Sequence, residues 1–108
     1  MTKSLKAEVN KLTETLVKKY KPEKIILFGS AARGDNKPES DLDLFVIKKT
    51  KKQYFDRVSE AMKYLNTDRS VDMIVFTPKE FEKAQNEKRV FIKQVLKYGV
   101  NLYEQTVQ

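Results

Sequence analysis

The chain has 108 residues, enough for one domain around a single core but about half the size of most free-standing enzymes. It contains no cysteine and no histidine, which excludes thiolate or imidazole zinc sites, cysteine nucleophiles, serine–histidine pairs and any imidazole base. Its 22 basic and 15 acidic residues leave a charge of +7, which favours anionic partners; because only Arg33, Arg57, Arg69 and Arg89 offer guanidinium forks, a solvated lysine–glutamate surface is expected ahead of a nucleic-acid footprint.

Leu5, Val9, Leu12, Leu16 and Tyr20 recur at helical spacing and predict an amphipathic helix over residues 2–20 that Pro22 closes. Residues 24–28 are apolar and β-favouring and run straight into Gly29, the pattern of a buried strand followed by a turn. A short helical turn is expected at 30–33, then a polar loop at 35–39, a second strand at 42–47 and a second long helix at 51–65 with Tyr54, Phe55, Val58, Met62 and Leu65 facing inward. A third strand follows at 71–76. Thr77, Pro78 and Glu80 together form an N-cap, a proline at the first helical position and a capping-box carboxylate, so a helix starts there. Phe81 opens its buried face; the pattern drifts at Asn86 and resumes with Val90, Phe91, Val95, Leu96 and Tyr98, which predicts a break near Asn86 and an end at Gly99. Residues 100–103 read as a last short strand. The order is that of an α/β (α+β) domain spanning 1–108, with a small sheet of three to four strands carrying helices. The apolar runs at 25–28 and 73–76 are far shorter than the roughly 20 residues of a membrane span, and no charged leader with an apolar run opens the chain, so a cytoplasmic location without a membrane is expected.

The chemistry concentrates where the first two strands meet. Their connection is too short for a crossover helix, so they pair antiparallel and bring Gly29 and Ser30 beside Asp41. The long helix before strand three allows a parallel crossover next to strand two, which puts Asp72 on the same rim. Asp41 and Asp43, two apart on a strand, face one way at about 6.6 Å. Two anions so placed repel unless a cation sits between them, and their hard oxygens suit Mg²⁺ or Mn²⁺; alone, the pair equally fits a turn residue and a solvated edge carboxylate. A glycine–serine turn into a helix offers backbone N–H groups to a phosphate, or is plain punctuation. Arg33 can grip a phosphate or pair with Asp35. Jointly, an anion cradle and carboxylates able to hold divalent cations suit transfer from a nucleoside triphosphate, and no Walker A sequence is present.

Gly29-Ser30-Ala31-Ala32-Arg33-Gly34 followed by Ser40-Asp41-Leu42-Asp43-Leu44 resembles the signature of the minimal nucleotidyltransferases within the DNA polymerase beta-like superfamily, in which a Gly-Ser precedes an Asp-x-Asp by about ten residues. The resemblance implies a nucleotidyltransferase fold with a small mixed sheet. It implies that Gly29 and Ser30 bind the triphosphate, that Asp41 and Asp43 coordinate two Mg²⁺ ions, and that Asp72 is the third carboxylate, serving one metal and the acceptor hydroxyl. Relatives of this kind resemble one half of a toxin–antitoxin pair whose other half is a helical HEPN protein, so the expected reaction is AMP transfer from ATP to that partner within a hetero-oligomer. The competing expectations are an antitoxin that neutralises by contact alone, a small-molecule or RNA nucleotidyltransferase working with a separate substrate-binding subunit, and nucleic-acid binding through Lys48, Lys49, Lys51 and Lys52. Those lysines follow the far end of strand two, roughly 15 to 30 Å from the acidic rim at about 3.3 Å per residue.

Overall fold

The computed structural model describes residues 1–35, 37 and 40–106. Asn36, Pro38 and Glu39 of the expected polar loop lie outside the described residues. Helix α1 (Lys3–Thr15) starts where the Thr2 side chain accepts a hydrogen bond from the Leu5 N–H, and it buries Leu5, Val9 and Leu12. The expected helix continues to Tyr20, but its last five residues, Leu16–Tyr20, widen into a π-helical turn that keeps Leu16 and Tyr20 buried along the same stripe. Lys21, in the left-handed region, ends it by donating its N–H to the Leu16 carbonyl.

The sheet has the order β3-β2-β1-β4, with β1 (Lys24–Phe28) antiparallel to both β2 (Leu42–Ile47) and β4 (Val100–Glu104), and β3 (Val71–Phe76) parallel to β2. The short α2 (Gly29–Arg33) follows β1, and α3 (Tyr54–Met62) makes the crossover from β2 to β3. Between β3 and β4 the chain forms α4 (Pro78–Asn86) and α5 (Val90–Tyr98), so the break expected near Asn86 is present. Both faces of the sheet are covered, which is why β1 reads as an unbroken apolar run. Ile25, Leu27, Leu42, Leu44, Val46, Met73 and Val75 pack under α1 and α3. Ile26, Phe45 and Ile47 pack on the other face under Ala84 of α4 and Ile92 and Val95 of α5. No helix is long and apolar enough to cross a membrane among the described residues.

Two expected faces differ. Helix α3 buries Arg57 and Ala61, while Tyr54 and Phe55 are exposed. Arg57 can take an inward position because its guanidinium donates to the carbonyls of Lys52 and Val75 and to the Glu80 carboxylate, leaving no uncompensated charge. On α5 only Ile92 and Val95 are buried, and Val90, Phe91, Leu96 and Tyr98 reach solvent. A helix lying on one sheet face has room for a single narrow stripe, so its flanking apolar residues stay outside.

Candidate functional site

The register of the sheet builds the site. Phe28 lies opposite Asp43, and Asp43 lies abreast of Asp72, so an aromatic and two carboxylates form one row across β1, β2 and β3. Side chains alternate along strands, and Asp43, Asp72 and Phe28 share the parity of Phe45, Ile74 and Ile26; the row therefore stands on the face that carries α4 and α5. Asp41, one residue before β2, has the same parity and is exposed. Asp72 is exposed on the edge strand β3, and Asp43 between them is half-buried.

Gly29 is the hinge of the arrangement. Its φ of +75° is in the left-handed region, and a β-carbon there would overlap Asp43 Oδ2, with Asp43 Cγ at 3.1 Å. Glycine alone meets both demands, the backbone turn and the close approach of a carboxylate. Ser30 follows in the first turn of α2, where backbone N–H groups have no carbonyl partner within the helix. Arg33, at the end of α2, pairs with Asp35 at 3.3 Å; both side chains are more than half exposed, so the pair is weak and readily exchanged for a stronger anion.

Burial raises the Asp43 carboxyl above its ordinary value, and the neighbouring charges of Asp72 and Asp41 push it further the same way while Arg33 opposes them. The rim thus gathers like charges around Asp43. Among the described residues no three acidic side chains draw together into a group able to hold a metal by themselves. Mg²⁺ commonly takes one or two carboxylates and completes its shell with phosphates and water. As hard oxygen donors, Asp41, Asp43 and Asp72 are of the kind a divalent cation takes.

On the other side of Gly29 the structure adds a cleft of about 410 Å³ between the end of β1 and α5, to which Phe91, Gln94 and Tyr98 contribute. Sequence reasoning placed Phe91 and Tyr98 on a buried helix face. Their separation of seven residues, with an amide between them, is the available signal of a second, unburied stripe. A larger hollow beside Glu8, Thr67, Arg69 and Ser70 is bridged by the ion pair of Arg69 with Glu8 at 3.0 Å, and Gly29 is not among its lining residues.

The polymerase beta nucleotidyltransferase family model matches residues 10–108. Among solved structures, a candidate nucleotidyltransferase from Sulfolobus solfataricus is similar at TM-score 0.64 and 24% identity, covering 92% of this chain and 79% of that one. A toxin–antitoxin structure with AMP-PNP is similar at TM-score 0.61 and 24% identity, over 90% of this chain and 73% of that one. A mutant of the toxin–antitoxin MntA-HpeT is similar at TM-score 0.57 and 21% identity over the same shares. At these identities the likeness is one of fold. No curated protein matches the chain.

Proposed function

The chain belongs to the polymerase beta nucleotidyltransferase family, and from that premise we propose that it is a divalent-metal-dependent adenylyltransferase acting on a hydroxyl of a protein partner, as the antitoxin of a toxin–antitoxin pair. One observation carries the reading: Asp43 and Asp72 stand abreast on neighbouring strands, with Gly29 closed against Asp43. The toxin–antitoxin context and the ATP analogue AMP-PNP belong to structural neighbours and support the choice of partner and nucleotide. The HEPN character of the partner rests on the resemblance of the Gly-Ser and Asp-x-Asp signature. Residues 1–108 are taken as one catalytic domain that meets its acceptor on another polypeptide.

In this reading Gly29 and Ser30 offer backbone N–H groups to the triphosphate, and Arg33 leaves Asp35 to pair with it. Asp41, Asp43 and Asp72 would hold two Mg²⁺ ions, which when bound would supply charge neutralisation for the α-phosphate and the departing pyrophosphate. Asp72, exposed at the sheet edge, faces the acceptor hydroxyl and receives its proton. The acceptor oxygen bonds to the α-phosphorus as the bond from that phosphorus to the α–β bridging oxygen breaks, and pyrophosphate leaves.

The test is label transfer in the purified pair of chain and partner. Label is expected on the partner from α-labelled and not from γ-labelled ATP, with pyrophosphate released, and it is expected to fall at least about 10²-fold in Asp43→Asn. Label from the γ position, or full turnover in excess EDTA, would overturn the reading. Neutralisation of the partner with no label would favour action by contact.

A further inference from the structure

The geometry points to the cleft between the end of β1 and α5 as a nucleobase subsite, in which Tyr98 and Phe91 supply the stacking surface and Gln94 hydrogen-bonds the base edge. The inference rests on the nucleotidyltransferase reading of the rim and extends it to the part of the nucleotide that the Gly-Ser turn and the carboxylates do not touch. Gly29 and Arg33 line the cleft, and they are also two of the three residues assigned to the triphosphate. In the row Asp72, Asp43, Phe28, the acids lie to one side of Gly29 and the cleft to the other. A nucleotide with its phosphates on the Gly29 turn and its metal at Asp43 therefore has its base directed over Phe28 toward α5.

The cleft has the chemistry of a base site. Phe28 meets Phe91 edge to face, with centroids 5.5 Å apart, so the Phe91 ring is held in place from below. Phe91 and Tyr98 nevertheless stay 41% and 58% exposed, beside a hollow rather than in the core. The hollow is preformed, because α5 closes on β1 at Gly99, where a β-carbon would collide with the Val95 carbonyl and with Ile26 Cγ2. Aromatic faces stack any base, so these rings supply affinity without identity. Hydrogen bonding comes from Gln94, one helical turn before Tyr98, whose amide offers a donor and an acceptor side by side. That pair matches the adjacent amino group and ring nitrogen that adenine and cytosine both carry, so Gln94 adds hydrogen bonds to a base edge without choosing between those two.

Calorimetric binding to the purified chain in Mg²⁺ separates this inference from the one beneath it, with Mg-ATP, Mg-CTP, Mg-tripolyphosphate and adenosine as probes. Tyr98→Ala, at an exposed position, should weaken Mg-ATP about tenfold and leave Mg-tripolyphosphate unchanged, with Tyr98→Phe restoring ATP affinity. Gln94→Ala should weaken Mg-ATP and Mg-CTP alike and leave Mg-tripolyphosphate unchanged. Binding of tripolyphosphate as tight as that of ATP in the wild type, or ATP affinity unmoved in Tyr98→Ala, would overturn the base subsite and leave the phosphate cradle standing. Loss of partner association in Tyr98→Ala with nucleotide affinity intact would also overturn it, in favour of a docking role for α5. Adenosine bound without tripolyphosphate would uphold the cleft and sink the cradle, and a chain that binds none of the probes would overturn both.

Discussion

The two ends of β2 and β3 treat charge in opposite ways. At the end where β3 finishes, Arg57 is buried and fully answered: Nη1 lies 2.7 Å from Glu80 Oε1, Nε donates to the Lys52 carbonyl at 2.8 Å, and Nη1 to the Val75 carbonyl at 3.3 Å. Glu80 in turn accepts the Thr77 N–H and completes the capping box of α4. At the end where β3 begins, Asp43 and Asp72 stand abreast with Asp41 close enough to raise the Asp43 carboxyl, and the arginine that opposes them is already engaged by Asp35. The first end is complete as it stands. The second gathers like charges, so the contrast separates charge that builds the fold from charge that the proposed function keeps for a ligand.

The largest expected effect breaks the complete end. Arg57→Met should destabilise the chain by about 3 kcal/mol, because it strands the Val75 and Lys52 carbonyls and removes the brace between α3 and α4. Urea unfolding at constant m-value measures it, and an unmoved midpoint would erase the distinction between the two ends. Glu80→Gln keeps the shape and should cost about 1 kcal/mol at neutral pH. Burial alone would raise the Glu80 carboxyl, but the hydrogen bonds from Arg57 and from the Thr77 N–H outweigh it and the net value is lowered. Its ionised form is thus favoured by folding, and the contribution is present above the ordinary carboxylate value and lost as pH falls through the lowered one. The difference between Glu80→Gln and the wild type should accordingly vanish in acid; a difference that persisted would assign the effect to packing.

Most of the architecture is legible in the residues because local rules and tertiary packing agree there. The Thr77-Pro78-Glu80 cap, the apolar run of β1 and the short link to β2 each allow one solution, and together they put the Gly-Ser turn beside Asp41, while the closing of Gly29 against Asp43 is added by the structure. Arg57 was not legible, since nothing local says that a charge on α3 is neutralised by a carboxylate 23 residues later. The same holds for Phe55 and Tyr98: periodicity counts apolar residues, but it does not say how wide a stripe the sheet can cover. The row of Asp72, Asp43 and Phe28 was legible only as a shared rim, because register between β2 and β3 is set by the packing of α3 and not by any motif.

Asp43→Asn sharpens the other half of the comparison, with a smaller effect of opposite sign. Relieving like charges abreast on neighbouring strands should stabilise the metal-free chain by about 0.2–1 kcal/mol, seen as a rise of up to a few degrees in thermal midpoint. The Asp43 carboxyl is raised in the fold, so its ionised form is the disfavoured one: the penalty is absent below the ordinary value of 3.8 and grows as pH rises through the higher folded value. The advantage of the variant should therefore appear at neutral pH and disappear near pH 3. Added Mg²⁺ should stabilise the wild type and not the variant, because an ion that binds only the folded state shifts its midpoint by mass action. A variant less stable than the wild type at neutral pH would mean that Asp43 serves the fold.

The smallest effect is expected from the lysines beyond β2, and its smallness is the point. Lys48 donates to the Tyr20 carbonyl and Lys52 is paired with Glu60, so they belong to the braced end and are poor probes of free charge. Lys49 and Lys51 are exposed, and Lys49 lies six residues along the chain from Asp43, about 20 Å at roughly 3.3 Å per residue. At 0.15 M ionic strength the Debye length is about 8 Å, so their charge is screened before it reaches the rim; near 0.01 M it is about 30 Å and the charge is felt. Changing Lys49 and Lys51 together to Gln should then shift Mg-ATP affinity less than about twofold at physiological salt, with a weakening that emerges only as salt is removed. A tenfold loss that persists at 0.15 M would place the nucleotide over the lysine end of the sheet, and the division of labour between the two ends would have to be reversed.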